Sequence, residues 1–533
     1  MGTQLLVGGR IYSPSSPDAT SIAVSDGVVV WVGADQPARA LHPDAEIIDL
    51  DGAFVAPGFV DAHVHTTALG LKLISLDLSD ARSLTDCLDR VRAFAAADHE
   101  AMVWGHGWDE SGWPEQRPPT VREIDEAAPN RLVYLSRVDV HSAVCSSALL
   151  AATPGLETAV GFARSGVLRT DAHHRARMTA LTALTTSQRA RARTAALDAA
   201  AALGIVAVHE CAGPHIGGRD DLRELLALDH GVEVRAYWGE AVETSEQAQA
   251  LLAETGAHGL AGDLFVDGAI GSRTAWLHEP YLDDPAAGSG NAYLDTDQIA
   301  AHVTACTKAR VQAGFHVIGD AAMTAVVEGF ERVVAELGGP AVAACGHRLE
   351  HVEMITPEQA SKLGDWGVIA SVQPGFDAAW GGDTGMYATR LGVERARGLN
   401  PFASMAARGV SLAIGSDAPV TALSPWQALQ AAVHHRTPGS GISPRAAFSA
   451  ATRGAWRAGG VRDGVAGTLV PGAPASFAIW DAGELVVASP TDTVARWSTD
   501  PRSRVPALPR LDPGTPAPVC LRTVHRGVDI YER

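Results

Sequence analysis

The feature that most restricts how this 533-residue chain can fold is a repeated order in its central part, short apolar runs alternating with helical stretches. The runs are VAPGFVDAHVH, GIVAVHE (204–210), VEVRAYWG (232–239), DLFVDG (263–268), FHVIGD (315–320), HRLEHVE (347–353), VIASVQP (368–374) and VSLAIGSDAP (410–419). Stretches such as SQRARARTAALDAAAAL and TAVVEGFERVVAEL lie between them. Strands that alternate with helices predict βα units and a parallel sheet, and eight such strands close a barrel. The expected fold class is therefore α/β, a (β/α)8 TIM barrel.

The ends of the chain follow a different pattern. LLVGGRIY, SIAVSDGVVVWVGA and AEIIDLDGAFVAP alternate and carry turn signals, and GTLVPGAPASFAIWDAGELVVAS with VCLRTVHRGVDIY supplies similar material near the C-terminus. A small β-sandwich built from residues 1–56 and 466–533 is expected beside a barrel spanning 57–465. About 140 residues separate the first two barrel strands, too many for a simple crossover. Residues of about 68–190 are thus expected to form an insertion that acts as a lid at the barrel mouth.

Composition narrows the function classes. A formal net charge of −19 argues against nucleic acid or an anionic membrane as partner, since phosphate binding needs an excess of Lys and Arg. Six scattered cysteines without a CxxC pair fit reduced, buried thiols in a cytoplasmic protein. The N-terminus has no basic region leading into a long apolar stretch, so no signal peptide is expected. The expected partner is a small-molecule substrate, with a homodimer as an open option.

His63 and His65 end the first apolar run, and alternate residues of a strand face one side, so both imidazoles aim at one point. In a parallel barrel the C-terminal strand ends converge however far apart they lie in sequence. Those ends carry His63, His65, His209, Glu210, Asp263, Asp267, His316, His351 and Asp417. Imidazoles with carboxylates suit Zn2+, and residue type leaves Fe2+ and Mn2+ open. His316 alone could be a core histidine, and His351 beside Glu350 part of a structural ion pair. Asp417 in GSDAPV could form a turn, or bind metal and accept a proton from the attacking water as general base.

The segments PGFVDAHVHTTALG, GHGWDESGW, DVHSAVCSSAL, LFVDGAIGSRTAWL, FHVIGDAA, RLEHVE, IASVQP and AIGSDAPV resemble, in the same order, the amidohydrolase superfamily. Within it the chain is most similar to the YtcJ-like branch, amidohydrolase family 3, which includes N-substituted formamide deformylases. The resemblance implies a divalent metal, first of all zinc, held by His63, His65, His316, His351 and Asp417, and hydrolysis of an amide or related C–N bond. Where many relatives begin the KLFVDG-like strand with a lysine that can bridge two metals, this chain has Asp263. Asp263 could bridge two ions, bind one, or stand as a solvated carboxylate at the strand start after Gly262, so one or two ions are compatible with that change. Arg273 in GSRTA is expected to pin a substrate carboxylate or carbonyl, with a structural salt bridge as the alternative. Trp108, Asp109 and Trp113 are expected to wall the substrate, with packing as their alternative. His141 in DVHSA falls where the family places a pocket residue. His209 and Glu210 are expected behind the ligands, and Asp320 as a helix cap. His351 or His141 would hold the oxyanion. The expected activity is hydrolysis of small amides, with a deaminase or an ester or lactone hydrolase on the same scaffold as the alternative. A catalytically silent binding or regulatory protein would be expected to lack a ligand or the base, and neither is missing.

Overall fold

A computed structural model describes residues 2–97, 100, 102–138, 142–164, 166–487 and 505–533. The chain divides into two compact units, Met1–His65 with Leu197–Arg533, and Thr66–Ala196.

The larger unit is organised on eight parallel strands: β1 Phe59–Val64, β2 Ile205–Ala212, β3 Glu233–Trp238, β4 Gly259–Leu260, β5 Gln312–Val317, β6 Arg348–His351, β7 Ile369–Val372 and β8 Ser411–Ile414. They pair in chain order into one eight-stranded sheet. A parallel bridge between Val64 and Ala418, past the end of β8, brings the last strand back to the first. The expected (β/α)8 barrel is thus present. Strands buried on both faces need continuous apolar runs, and β1, β2, β5, β6 and β7 are buried at every position.

The fourth strand departs from its expected bounds. The ladder covers only Gly259–Leu260, while DLFVDG runs on as an irregular segment tied to β5. The amide of His316 donates to the Leu264 carbonyl at 2.9 Å, and the amide of Val266 to the His316 carbonyl at 3.0 Å. Gly262 at φ +75° breaks the extended chain there, a conformation cheap only for glycine.

Both chain ends contribute to two further sheets. One has the order Val28–Gly33, Ser21–Ser25, Gln4–Val7, Glu46–Asp49. The other runs Arg10–Ile11, Phe54–Pro57, Phe477–Asp481, Val519–His525, Val528–Glu532. Leu6, Ile22 and Val29 from the first pack with Val55, Phe477 and Val524 from the second in one apolar cluster.

The smaller unit carries a five-stranded mixed sheet, in the order Val167–Arg169, Ser142–Cys145, Leu132–Arg137, Met102–Trp108, Leu76–Asp77. Its helices include Leu84–Ala97 and Thr170–Ala183. All six cysteines are free and buried.

Candidate metal centre

Four imidazoles and two carboxylates meet at the C-terminal ends of the barrel strands. His63 comes from β1 and His65 from just beyond it, Asp263 from the segment after β4, His316 from β5, His351 from β6 and Asp417 from the loop after β8. His63 Nε2 lies 3.5 Å from Asp263 Oδ1 and 3.6 Å from Asp417 Oδ1. His65 Nε2 lies 3.3 Å from Asp263 Oδ2 and 3.2 Å from Asp417 Oδ1. On its other side Asp263 Oδ1 is 3.5 Å from His316 Nδ1 and 3.8 Å from His351 Nε2. Asp263 therefore faces two groups of imidazoles at once.

These separations are near the edge of a tetrahedron of nitrogen and oxygen donors around a zinc-sized ion, about 3.3 Å for bonds of about 2.0 Å. The buried atoms His63 Nε2, Asp263 Oδ1, His316 Nδ1, His351 Nε2 and Asp417 Oδ1 have no hydrogen-bond partner among the described residues. Buried polar atoms without partners are costly, and five gathered in overlapping groups about Asp263 and Asp417 are the chemistry that one or two cations satisfy. The donor set fits a divalent metal.

The opposite ring nitrogens are occupied. His63 Nδ1 donates to Glu350 Oε2 at 3.0 Å, His351 Nδ1 to Gln373 Oε1 at 2.8 Å, and His316 Nε2 to the Gly268 carbonyl at 3.2 Å. Each bond fixes the tautomer that leaves the inward nitrogen with a free lone pair. Glu350 is itself gripped by the fully buried Arg348, whose Nε and Nη2 donate at 2.6 and 2.9 Å. Arg348 also donates to the Ala62 carbonyl at 2.6 Å and to His209 Nδ1 at 3.0 Å, and stacks on the Tyr237 ring at 4.3 Å. His209 thus stands behind Arg348, not behind a candidate ligand directly.

Backbone geometry explains how neighbours on one strand reach the same place. Strand alternation would send Glu350 and His351 to opposite faces. His351 at φ 70° and Val352 at φ 50° leave the extended conformation, and the side chains of Glu350 and His351 both reach the His63 ring. Asp417 stands at φ 54°. Such non-glycine conformations cost about 1–3 kcal/mol each and collect at functional sites.

The electrostatics of the cluster are reciprocal. Burial raises the Asp417 pKa, yet the charge of His63 and the hydrogen bond and charge of His65 outweigh it and hold the carboxyl below its ordinary value. Burial likewise opposes ionisation of Asp263, but His63, His316 and His351 hold it well below. Burial works against a charged His65, and its bonds to Asp263 and Asp417 still push its pKa up to about 10. The two carboxylates carry negative charge that attracts a proton or a metal ion alike.

The other expected residues occupy several settings. Asp267 accepts the backbone N–H groups of Ile318, Gly319 and Trp276 at 2.7–3.0 Å and is a structural clamp. Asp320 Oδ1 accepts the amides of Ala321 and His278, each at 2.9 Å. Arg273 is bound to Asp283 through Nε at 3.1 Å and Nη2 at 2.8 Å, the salt-bridge alternative. In the smaller unit Trp108 is 1% exposed within an apolar cluster that includes Trp113, and its indole N–H donates to the Leu135 carbonyl at 2.9 Å, as a packing residue does. Asp109 accepts the Ser111 amide at 3.1 Å and pairs with Arg137 at 2.7 Å. His141 lies outside the described residues. Sequence reasoning gave Glu350 only as part of an ion pair with His351, and it passed over Arg348 and Gln373. Both lie inside segments already singled out, Arg348 in HRLEHVE and Gln373 in IASVQP, and that was the available signal.

A parallel eight-stranded barrel with this cluster at its mouth defines a metal-dependent hydrolase. The chain belongs to the amidohydrolase family, whose model matches residues 46–531. It is 28% identical to the putative amidohydrolase YtcJ of Bacillus subtilis, over 80% of this chain and 82% of that protein. It is 25% identical to the N-substituted formamide deformylase of Arthrobacter pascens, over 81% of this chain and 83% of that one. Among solved structures it resembles an uncharacterized metal-dependent hydrolase from Pyrococcus furiosus, with a TM-score of 0.75 and 26% identity, covering 90% of this chain and 99% of that one.

Proposed function

We propose that the protein hydrolyses a non-peptide C–N bond of a small molecule, with N-substituted formamides the first substrates to test. The observation that carries this reading is the convergence of His63, His65, Asp263, His316, His351 and Asp417, with the inward atoms of all but His65 unpartnered among the described residues. The similarity to a formamide deformylase supports the choice of substrate class.

In this reading His63, His65, Asp263 and Asp417 would hold a zinc ion, and Asp263 with His316 and His351 could take a second. The bound cation would polarise the scissile carbonyl and make water acidic enough to attack near neutral pH. Asp417, held below the ordinary carboxylate range by His63 and His65 against its burial, is ionised and able to accept a proton from the attacking water. It would then pass that proton to the departing amine, so that a formamide and water give formate and an amine. His351 gives its Nδ1 proton to Gln373 and turns a bare Nε2 lone pair inward, so in this reading it would hold the cation rather than donate to the developing oxyanion. The Arg348–Glu350 pair holds the His63 ring and takes no part in proton transfer. The reading includes a cytoplasmic protein, active as a monomer or homodimer, without a nucleic-acid partner. No described helix is long and apolar enough to cross a membrane.

The test is turnover by zinc-loaded protein of N-substituted formamides, aminated heterocycles, and esters and lactones, with metal content measured in parallel. Formamide hydrolysis that Asp417→Asn lowers by about 100-fold or more is the expected result, with activity expressed per bound zinc so that loss of the base is separated from loss of the ion. Preference for a heterocyclic amine or a lactone would move the assignment to a deaminase or an ester or lactone hydrolase.

A further inference from the structure

The larger unit carries a second polar concavity at the opposite end of its strands. A cavity of about 310 Å³ lies at the N-terminal ends of β6 and β7, bordered by Gly346, Ile369, Arg453, Arg457, Arg462 and Asp463. That volume falls in the range of small-molecule sites. Three guanidiniums face one carboxylate here, in a chain whose formal net charge is −19.

The arginines are not used up by the fold. Arg453 and Arg457 are exposed, and among the described residues neither side chain has an ion pair or hydrogen bond. They stand four apart on consecutive helical turns, where like charges repel. Arg462 is tethered by Nη1 to the Ala344 carbonyl, and its Nη2 lies 2.8 Å from where a side chain at Gly346 would begin. The single acid, Asp463, spends one oxygen on the amides of Val465 and Ala466, each at 2.9 Å. Arg453 also belongs to a π-helix, Ala450–Gly454, an irregularity that recurs where helices carry function.

We propose that this cavity binds a small polyanion, a ligand with two or more carboxylate or phosphate groups. Guanidinium forks match both groups with paired, charge-assisted hydrogen bonds, and an anion would relieve the repulsion between Arg453 and Arg457. The site is separate from the metal cluster, because His351 ends β6 at the other extremity of the strand that Gly346 precedes.

The test is calorimetric titration of the metal-loaded full chain with two probes, inorganic phosphate and trimesate, a rigid benzene tricarboxylate poorly suited to chelating one metal ion. Saturable binding is expected, weakening as chloride is added. Arg453→Gln with Arg457→Gln should weaken it by at least about tenfold, with melting temperature and hydrolytic activity preserved. Tighter binding of phosphate or of trimesate distinguishes a phosphorylated from a carboxylated ligand. Asp417→Asn should leave binding intact. Failure of both probes to saturate overturns the proposal. So does unchanged binding by the double variant, or loss of binding in Asp417→Asn alone, which would place the anion at the metal cluster.

Discussion

At the scale of single residues, the cluster depends on groups that never face its centre. Glu350 touches His63 and is held by two bonds from Arg348, all with 0% exposure. Burial raises the Glu350 carboxyl pKa, but Arg348 and then His63 outweigh it and keep it far below the usual range, so it stays ionised. Glu350→Ala should free the His63 ring and weaken zinc affinity by about 10–100-fold, measured by chelator competition, whereas Glu350→Gln should recover part of the loss. Affinity unchanged in Glu350→Ala would show that the ring is oriented by other contacts. Arg348→Met should act on the whole fold, because it strands a buried carboxylate. Its expected cost is about 3–5 kcal/mol in chemical denaturation. The convergence itself was legible: the His63 and His65 spacing sets a shared face, and His316, His351 and Asp417 follow from strand-end position. Glu350 and Gln373 were not, because the first takes its role from a left-handed turn at His351 and the second from the neighbouring strand. Neither fact is written locally in the chain.

At the scale of elements, the fourth strand shows what holds the site where regular pairing stops. Beyond the two-residue ladder of β4, the segment carrying Asp263 is secured by backbone bonds to β5 and by Asp267, which gathers amides from the end of β5 and from Trp276. Asp267→Ala would leave these buried N–H groups unpaired, at a cost of about 1–3 kcal/mol for each that cannot rebond. A lowered melting temperature together with weaker zinc binding is expected, since Asp263 and His316 sit on the two segments it joins. Asp267→Asn keeps an acceptor oxygen and should lose less. Full zinc affinity in Asp267→Ala would mean that the backbone bonds alone fix the segment. The sequence marked DLFVDG as strand because its apolar residues fit one. It could not show that Gly262 turns out of the ladder or that Asp267 turns back to cap backbone rather than bind ligand.

At the scale of the whole molecule, eight strands were countable because burial on both faces leaves continuous apolar runs, and the terminal sheets because alternation reveals a half-buried face. The same burial builds in a pH dependence away from the metal cluster. His302 accepts the Val242 amide on Nδ1 and donates from Nε2 to the Leu260 carbonyl, and His347 accepts the Ala313 amide on Nδ1. Burial pushes their pKa values down, to about 4 for His302 and, with the charge of His302 adding to it, to about 3 for His347. Both are neutral when folded at pH values where the unfolded chain, near the ordinary 6.5, already takes up protons. The unfolded state binds more protons in that window, so stability rises with pH through it. The contribution of the neutral rings is complete above about pH 6.5. It is lost as pH falls toward 4 for His302 and toward 3 for His347, at up to about 1.4 kcal/mol per pH unit for each. Chemical denaturation at a series of pH values should show this slope. His302→Gln, which keeps a donor and an acceptor but cannot titrate, should flatten it between pH 6.5 and 4. An unchanged slope in that variant would assign the acid sensitivity to the carboxylates instead.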